Sequence, residues 1–263
     1  MTETLELLAT CEAAARAGAH QLMAWRGRFS AREKAASDLV TDADLASQEA
    51  IRTVILGKYP DHGFLGEEHP DYQQLSRPFC WIVDPLDGTT NYVHDFPCYA
   101  VSVAVAQEGR LVAGAIFDPL SEEFFLAAAG QGAHLNGKPI APSTATLVEK
   151  ALVAVSFPPQ LRADAPDWQA FFQVASRCQA VRRTGSAALN LAYVACGRLD
   201  AHWAHKIYPW DSAAGVLLVR EAGGVVTASR GSAFQLARGD YFAAGTSQLH
   251  QALLPLIAPT DTN

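Results

Sequence analysis

Trp81-Ile-Val-Asp84-Pro-Leu-Asp87-Gly-Thr-Thr-Asn91 joins an apolar run to two carboxylates three positions apart, and then to a glycine and two threonines. Phe79 to Val83 reads as a strand, and Pro85 fixes the chain between the acids. Gly88, Thr89 and Thr90 expose backbone N–H groups, which form an anion site where a helical turn starts. Hard divalent cations take oxygen ligands and share them with substrate phosphate, so the string reads as a metal-plus-phosphate constellation. A plain Asp-Pro turn followed by an Asp cap would need neither the second acid nor the threonine pair.

Three more acidic clusters stand at element boundaries. Asp42 and Asp44 open a helix over Thr41 to Leu56, Glu67-Glu68 follow Gly66, and Asp211 follows Trp210 at the start of a helix over Asp211 to Glu221. Apolar residues at three- and four-residue steps mark an earlier helix from Leu5 to Trp25. Tyr99 to Ala106, Leu111 to Phe117 and Glu123 to Ala128 are rich in Val, Ile and Phe, and read with Phe79 to Val83 as one mostly antiparallel sheet. Asn136 to Lys150 shifts to Pro, Ser, Thr and Gly, a crossover between two halves. Beyond it, strands over Leu152 to Ser156, Leu199 to Trp203, Val225-Val226 and Tyr241 to Ala244 alternate with helices over Trp168 to Ser176, Ala187 to Cys196 and Ser247 to Ile257. The expectation is a single domain over 1–263, softly divided into an α+β half (1–143) and an α/β half (144–263).

Of 263 residues 49% are hydrophobic and only 18% charged, which excludes wholesale disorder. Twenty Lys and Arg against 27 Asp and Glu give a net charge of −7, which opposes binding to a nucleic-acid backbone or an anionic membrane. No run is long enough to span a bilayer, and acids occupy the N-terminus where a signal peptide needs bases, so a cytoplasmic address is expected. The five cysteines are odd in number and lack any Cys-x-x-Cys, so they read as reduced thiols, mostly buried.

Gly66-Glu67-Glu68, the string Trp81 to Asn91 and Pro209-Trp210-Asp211-Ser-Ala-Ala-Gly215 resemble, in order, the signatures of the inositol monophosphatase family. Asp38-Leu-Val-Thr-Asp-Ala-Asp44, Arg183-Thr-Gly185-Ser-Ala-Ala and Glu221-Ala-Gly-Gly224 extend the resemblance over nearly the whole chain. It implies an alternating αβαβα layered sandwich of the inositol monophosphatase and fructose-1,6-bisphosphatase type, assembled as a homodimer. It also implies two to three Mg²⁺ ions: one on Glu67, Asp84 and the Leu86 carbonyl, one on Asp84, Asp87 and Asp211, and a weaker third on Glu67 and waters. Asp44 and Thr89 would orient the attacking water. Gly88 and Thr89, with Thr90, Gly185 and Ser186, would make the phosphate site.

The reaction so implied is lithium-sensitive hydrolysis of a small phosphate monoester by direct attack of metal-activated water, with inositol 1-phosphate as the first substrate. Adenosine 3′,5′-bisphosphate, histidinol phosphate or a sugar phosphate are the alternatives with the same chemistry. A different class of function is a binding partner of the transcription or ribosome machinery, independent of catalysis. A haloacid-dehalogenase mechanism is disfavoured: Asp84 and Asp87 are three apart, and Asp42-Ala-Asp44-Leu lacks the hydroxyl residue of that motif.

Several residues read less sharply. Asp38 and Asp42 read as helix caps, Asp211 as a cap that also ligates, and Glu68 as a solvated acid behind the ligands. Lys34 with Ser37 is either a loop cation near the third metal or a solvated lysine. His202 and His205, three apart at a strand, do not share an ion. Gly130-Gln-Gly132 is too short for a nucleotide loop. Family members specific for inositol carry a Glu seven positions before the Trp-Asp aspartate, where this chain has Ala204. Arg182, Arg183, His205 and Lys206 either serve a second phosphate or are solvated bases.

Overall fold

The computed structural model describes residues 3–35, 38–158 and 160–258. The first half runs α1 (Glu3–Trp25), β1 (Ala31–Ala35), β2 (Asp38–Thr41), α2 (Asp42–Lys58), β3 (Gly63–Gly66), β4 (Phe79–Asp87) and α3 (Thr89–Val93). It continues through β5 (Ala100–Gln107), β6 (Arg110–Asp118), β7 (Glu123–Ala128), β8 (Ala133–Leu135) and β9 (Lys138–Pro139). These strands, β1 and β2 excepted, form a seven-stranded sheet in sequential order, antiparallel throughout save for β3 beside β4. The second half runs β10 (Leu152–Ser156), α4 (Pro166–Ala175), β11 (Ala180–Arg182), α5 (Ala187–Ala195), β12 (Ala201–Ala204) and α6 (Pro209–Glu221). It closes with β13 (Val225–Thr227), β14 (Tyr241–Ala244) and α7 (Ser247–Ile257). Its five strands are ordered β11-β10-β12-β14-β13, with parallel pairs on both sides of β10 and antiparallel pairs at β14.

Strand alternation sorts the core into three layers of contact. Trp81, Val83, Val101, Val103 and Val105 pack on Leu7, Leu22, Ile51 and Ile55 of α1 and α2. Their neighbours Cys80, Ile82, Ala100, Ala104 and Ala106 face the other way, onto α5 and α6. Those two helices also receive Ala204, Tyr241 and Ala243 from the smaller sheet, whose opposite face puts Val153, Trp203 and Phe242 against Val174 of α4 and Leu249 and Leu253 of α7. The result is the expected αβαβα sandwich. Small side chains in the middle layer bring it close: a Cβ on Gly215 of α6 would lie 2.4 Å from the Leu191 Cβ of α5.

One irregularity positions the acids. Between Asp84 and Asp87 the ladder slips, so that Asp84 opposes Ser102 and Asp87 opposes Ala100, three steps on β4 against two on β5. Residues three apart on a regular strand face opposite sides. The bulge returns both carboxylates to the side of Ile82 and Ala100, and Pro85 sits inside it, where no ladder N–H is required.

Some elements differ from expectation. The apolar run at Phe79 does not stop at Val83 but continues as strand to Asp87. β1, β2, β3, β8, β9 and β11 were not expected; each has five residues or fewer, too short to display a period. Cys11, Cys80 and Cys98 are buried free thiols, and Cys178 and Cys196 are half-buried ones.

Candidate active site

Because β3 runs parallel to β4 and its last residue, Gly66, pairs with Val83, Glu67 and Asp84 follow side by side, and the first turn of α6 brings Asp211 to them. One oxygen from each of Glu67, Asp84 and Asp211 lies within 4.8 Å of the others. The frame behind them is hydrogen-bonded. Ser47 Oγ donates to the Pro85 carbonyl (2.9 Å), and Ser102 Oγ donates to the Trp210 carbonyl (3.3 Å). The Gln48 side chain brackets the backbone of Glu68, accepting from its N–H (2.9 Å) and donating to its carbonyl (2.6 Å).

This arrangement is costly without a counter-charge. Burial pushes the Asp84 carboxyl well above the usual carboxylate range, reinforced by the charges of Glu67, Asp87 and Asp211. Asp211 is raised in the same way, by burial first and then by Glu67 and Asp87. Helix N-termini offset part of the repulsion. Asp211 is the third residue of α6 rather than the cap expected from the sequence; the helix starts at Pro209, and the Asp211 carboxylate accepts from Tyr208 N–H at 2.9 Å. An oxygen-only set of converging carboxylates, whose charged forms burial and mutual repulsion both penalise until a counter-charge arrives, fits a hard divalent cation such as Mg²⁺.

Asp87 stands apart from that triad although it lines the same cleft. Its oxygens accept from Ser186 Oγ, Ala187 N–H (3.2 Å) and Ala188 N–H (2.7 Å) at the start of α5. Burial raises its carboxyl to about 6, and those hydrogen bonds keep it from rising further. Ser186 is therefore turned inward as the cap of α5, while Gly185, with φ of +90°, lines the cleft.

Asp44 is the third residue of α2, and the cap is Thr41, not Asp42. Thr41 N–H and Oγ1 donate to Asp44 Oδ2 at 2.8 and 2.6 Å. Thr89 Oγ1 lies 3.2 Å from Asp44 Oδ1 and 3.1 Å from the Leu86 carbonyl, so one hydroxyl bridges the two. Burial lifts the Asp44 carboxyl to about 7, against the Thr41 hydrogen bonds, with Glu67 and Glu68 adding to the rise. Gly88 caps α3 with φ of +98°, a conformation that favours glycine, and Thr90 in the first turn is exposed. Thr41, Ser47, Gln48 and Asn91 hold these parts in place. Of them only Thr41, three residues ahead of Asp44, carried a sequence signal, that of a capping box.

Several readings are revised. Asp42 accepts from Ser30 N–H and pairs with Arg32 instead of capping, and Glu68 is buried, not solvated. Ser37 and the side chains of Lys34 and Asp38 lie outside the described residues. Gly130 and Gly132 donate their N–H groups, each at 3.0 Å, to the carboxylate of Glu221, an internal acid where a nucleotide loop would hold phosphate. His202 is buried among Ser156, Asn190 and Tyr241, whereas His205 faces Asp167 (3.2 Å) and the Ile257 carbonyl (2.9 Å), so the two share nothing.

Glu67, Asp87 and Asp211 line a cleft of about 690 Å³. Arg183 and Lys206 line it as well, while Arg182 donates from its guanidinium to the Val181 carbonyl. Ala204 is buried at the end of β12.

Residues 4–260 match the profile of the inositol monophosphatase family. An inositol-1-monophosphatase from Synechocystis sp. is 39% identical over 95% of this chain and 87% of its own. A Nus factor SuhB from Pseudomonas aeruginosa is 40% identical over 88% of this chain and 87% of its own. Among solved structures, the inositol monophosphatase from Anabaena (Nostoc) sp. superposes with a TM-score of 0.88 at 34% identity, covering 100% of both chains. With the acids of β3, β4 and α6 converging in an αβαβα sandwich and the profile spanning nearly all of the sequence, the chain belongs to the inositol monophosphatase family.

Proposed function

We propose that the protein is a Mg²⁺-dependent phosphomonoesterase that hydrolyses a small phosphate monoester, inositol 1-phosphate being the substrate favoured by the relative that bears its name. The convergence of Glu67, Asp84 and Asp211 carries this reading. These residues, with Asp87 and the Leu86 carbonyl at the margin, would hold the two to three ions. When bound, Mg²⁺ supplies Lewis acidity to the phosphoryl oxygens and acidifies water. The chain supplies the rest. Asp44, with a carboxyl that changes charge near neutral pH, is suited to take a proton from the attacking water, and the Thr89 hydroxyl bridging Asp44 and Leu86 fixes where that water sits. Gly88 and Thr89 N–H groups and the loop at Gly185 receive the phosphate oxygens. No side chain is required as nucleophile.

Phosphate release from inositol 1-phosphate is expected with Mg²⁺, to vanish in EDTA, and to fall at least about 100-fold in Asp84→Asn, because the loss of one shared ligand disables the pair of ions. Turnover that persists in EDTA or in the variant would refute the reading. We also propose that the chain forms a homodimer and is inhibited by Li⁺, as the resemblance implies. The relatives named Nus factor SuhB favour a second, concurrent role as a protein partner of the transcription machinery. A pulldown whose catch survives Asp84→Asn would support that role, and an empty one would remove it.

A further inference from the structure

The His205 side chain is 5% exposed, and the Asp167 carboxylate beside it 6%. Its Nδ1 lies 3.2 Å from Asp167 Oδ1, in the first turn of α4, and its Nε2 lies 2.9 Å from the carbonyl of Ile257, the last residue of α7. Burial would raise the Asp167 carboxyl, but the hydrogen bond and charge of His205 outweigh it and hold that carboxyl below the usual range. An ionised carboxylate and a carbonyl can only accept, so both contacts are hydrogen bonds only when both ring nitrogens donate. The negative pole at the end of α7 favours a ring in that form. One buried side chain thus joins α4 and α7 to the segment that leaves β12.

That segment is short and ends next to an acid of the converging triad. β12 stops at Ala204 and α6 starts at Pro209. Between them Ile207 N–H donates to the Gly239 carbonyl at 2.9 Å, and Tyr208 N–H donates to the Asp211 carboxylate at 2.9 Å. The approach at Gly239 is tight, since a Cβ there would lie 2.6 Å from the Ile207 carbonyl oxygen. The Asp211 carboxylate is therefore aimed in part by the backbone at Tyr208, three residues beyond the buried ring. We infer that His205 is a positioning residue: clasped between Asp167 and the end of α7, it fixes residues 205–208 and so the aim of Asp211 at the cation. This rests on the metal-dependent phosphomonoesterase reading. Groups that orient a metal ligand set how tightly the ion is held, and removing either side of a buried charged pair leaves the other side unsatisfied.

Binding of Mn²⁺, followed through the electron paramagnetic resonance signal of the free ion, tests this without turnover. Asp84→Asn should abolish tight uptake and so report the site. His205→Gln, whose amide can donate on one side only, and Asp167→Asn should each raise the Kd for Mn²⁺ at least about threefold. The double variant should bind no more weakly than the weaker single one, because the two residues act as one clasp. Leu253→Ala, which empties buried space in α7 without touching the clasp, should lower the melting temperature and leave the Kd unchanged. In turnover, the Mg²⁺ concentration for half-maximal rate should rise in the clasp variants, while kcat at saturating Mg²⁺ stays within about twofold. An unchanged Kd in folded His205→Gln and Asp167→Asn, losses that add in the double variant, or an equal loss in Leu253→Ala would overturn the inference alone. Wild-type protein that takes up no Mn²⁺ would overturn the phosphatase reading, and the inference with it.

Discussion

His202 shows how one buried ring can be fixed by its partners. Thr184 Oγ1 donates to Asn190 Oδ1 (2.8 Å), which leaves the Asn190 amide to donate toward His202 Nε2 (3.4 Å). Nε2 therefore accepts, and Nδ1–H donates to the Tyr241 hydroxyl at 3.0 Å. Burial lowers the His202 pKa to about 3 from an ordinary value of 6.5. Because the folded value is depressed, the unfolded chain takes up a proton first as pH falls; the stability present above about 6.5 is lost on the way down to about 3. Urea melts between pH 6 and 4 should lose about 1.4 kcal/mol per pH unit from this residue, and His202→Gln should flatten the curve by that slope. A variant with an unchanged slope would place the acid sensitivity elsewhere. At this scale the sequence told a good deal about Glu67, Asp84 and Asp211, because acids gathered at several element boundaries, two of them three apart after an apolar strand, exceed what capping alone requires. It said little about Gln48 or Asn91, whose work is to hold backbone from segments distant in the chain.

Among the elements, the long helices and the strands from Phe79 to Ala128 were legible because period and composition agreed over many residues. The short pieces were not. β3 has four residues, yet its parallel pairing with β4 is what sets Glu67 beside Asp84, a relation between strands that no local pattern encodes. The crossing of α5 and α6 is likewise a matter of clearance. Gly215→Ala would drive a methyl group into Leu191, and overpacking of this kind costs about 1–3 kcal/mol. A lowered melting temperature, partly restored by Leu191→Ala in the same chain, is the expected result. Two losses that simply add would show that the contact is not the cause.

For the whole molecule, α5 and α6 serve both sheets. Cys80, Ile82, Ala100, Ile116 and Phe125 of the larger sheet and Tyr241 and Ala243 of the smaller share one continuous cluster with them. A fragment ending at residue 143 keeps all seven strands of the larger sheet but neither helix. It should be aggregation-prone, bind a hydrophobic dye and lack a cooperative melt, and co-expression with residues 144–263 should restore solubility. A soluble, sharply melting fragment would refute this. The same shared layer bears on synthesis. The ribosome emits the last strand of the larger sheet at residue 139 and completes α6 only at residue 221. At about 5–20 residues per second, the nascent sheet waits roughly 4 to 16 s with one apolar face uncovered. Transiently exposed apolar surface is aggregation-prone, so the order in which the chain is made, and not only how it packs, bears on whether its active site forms.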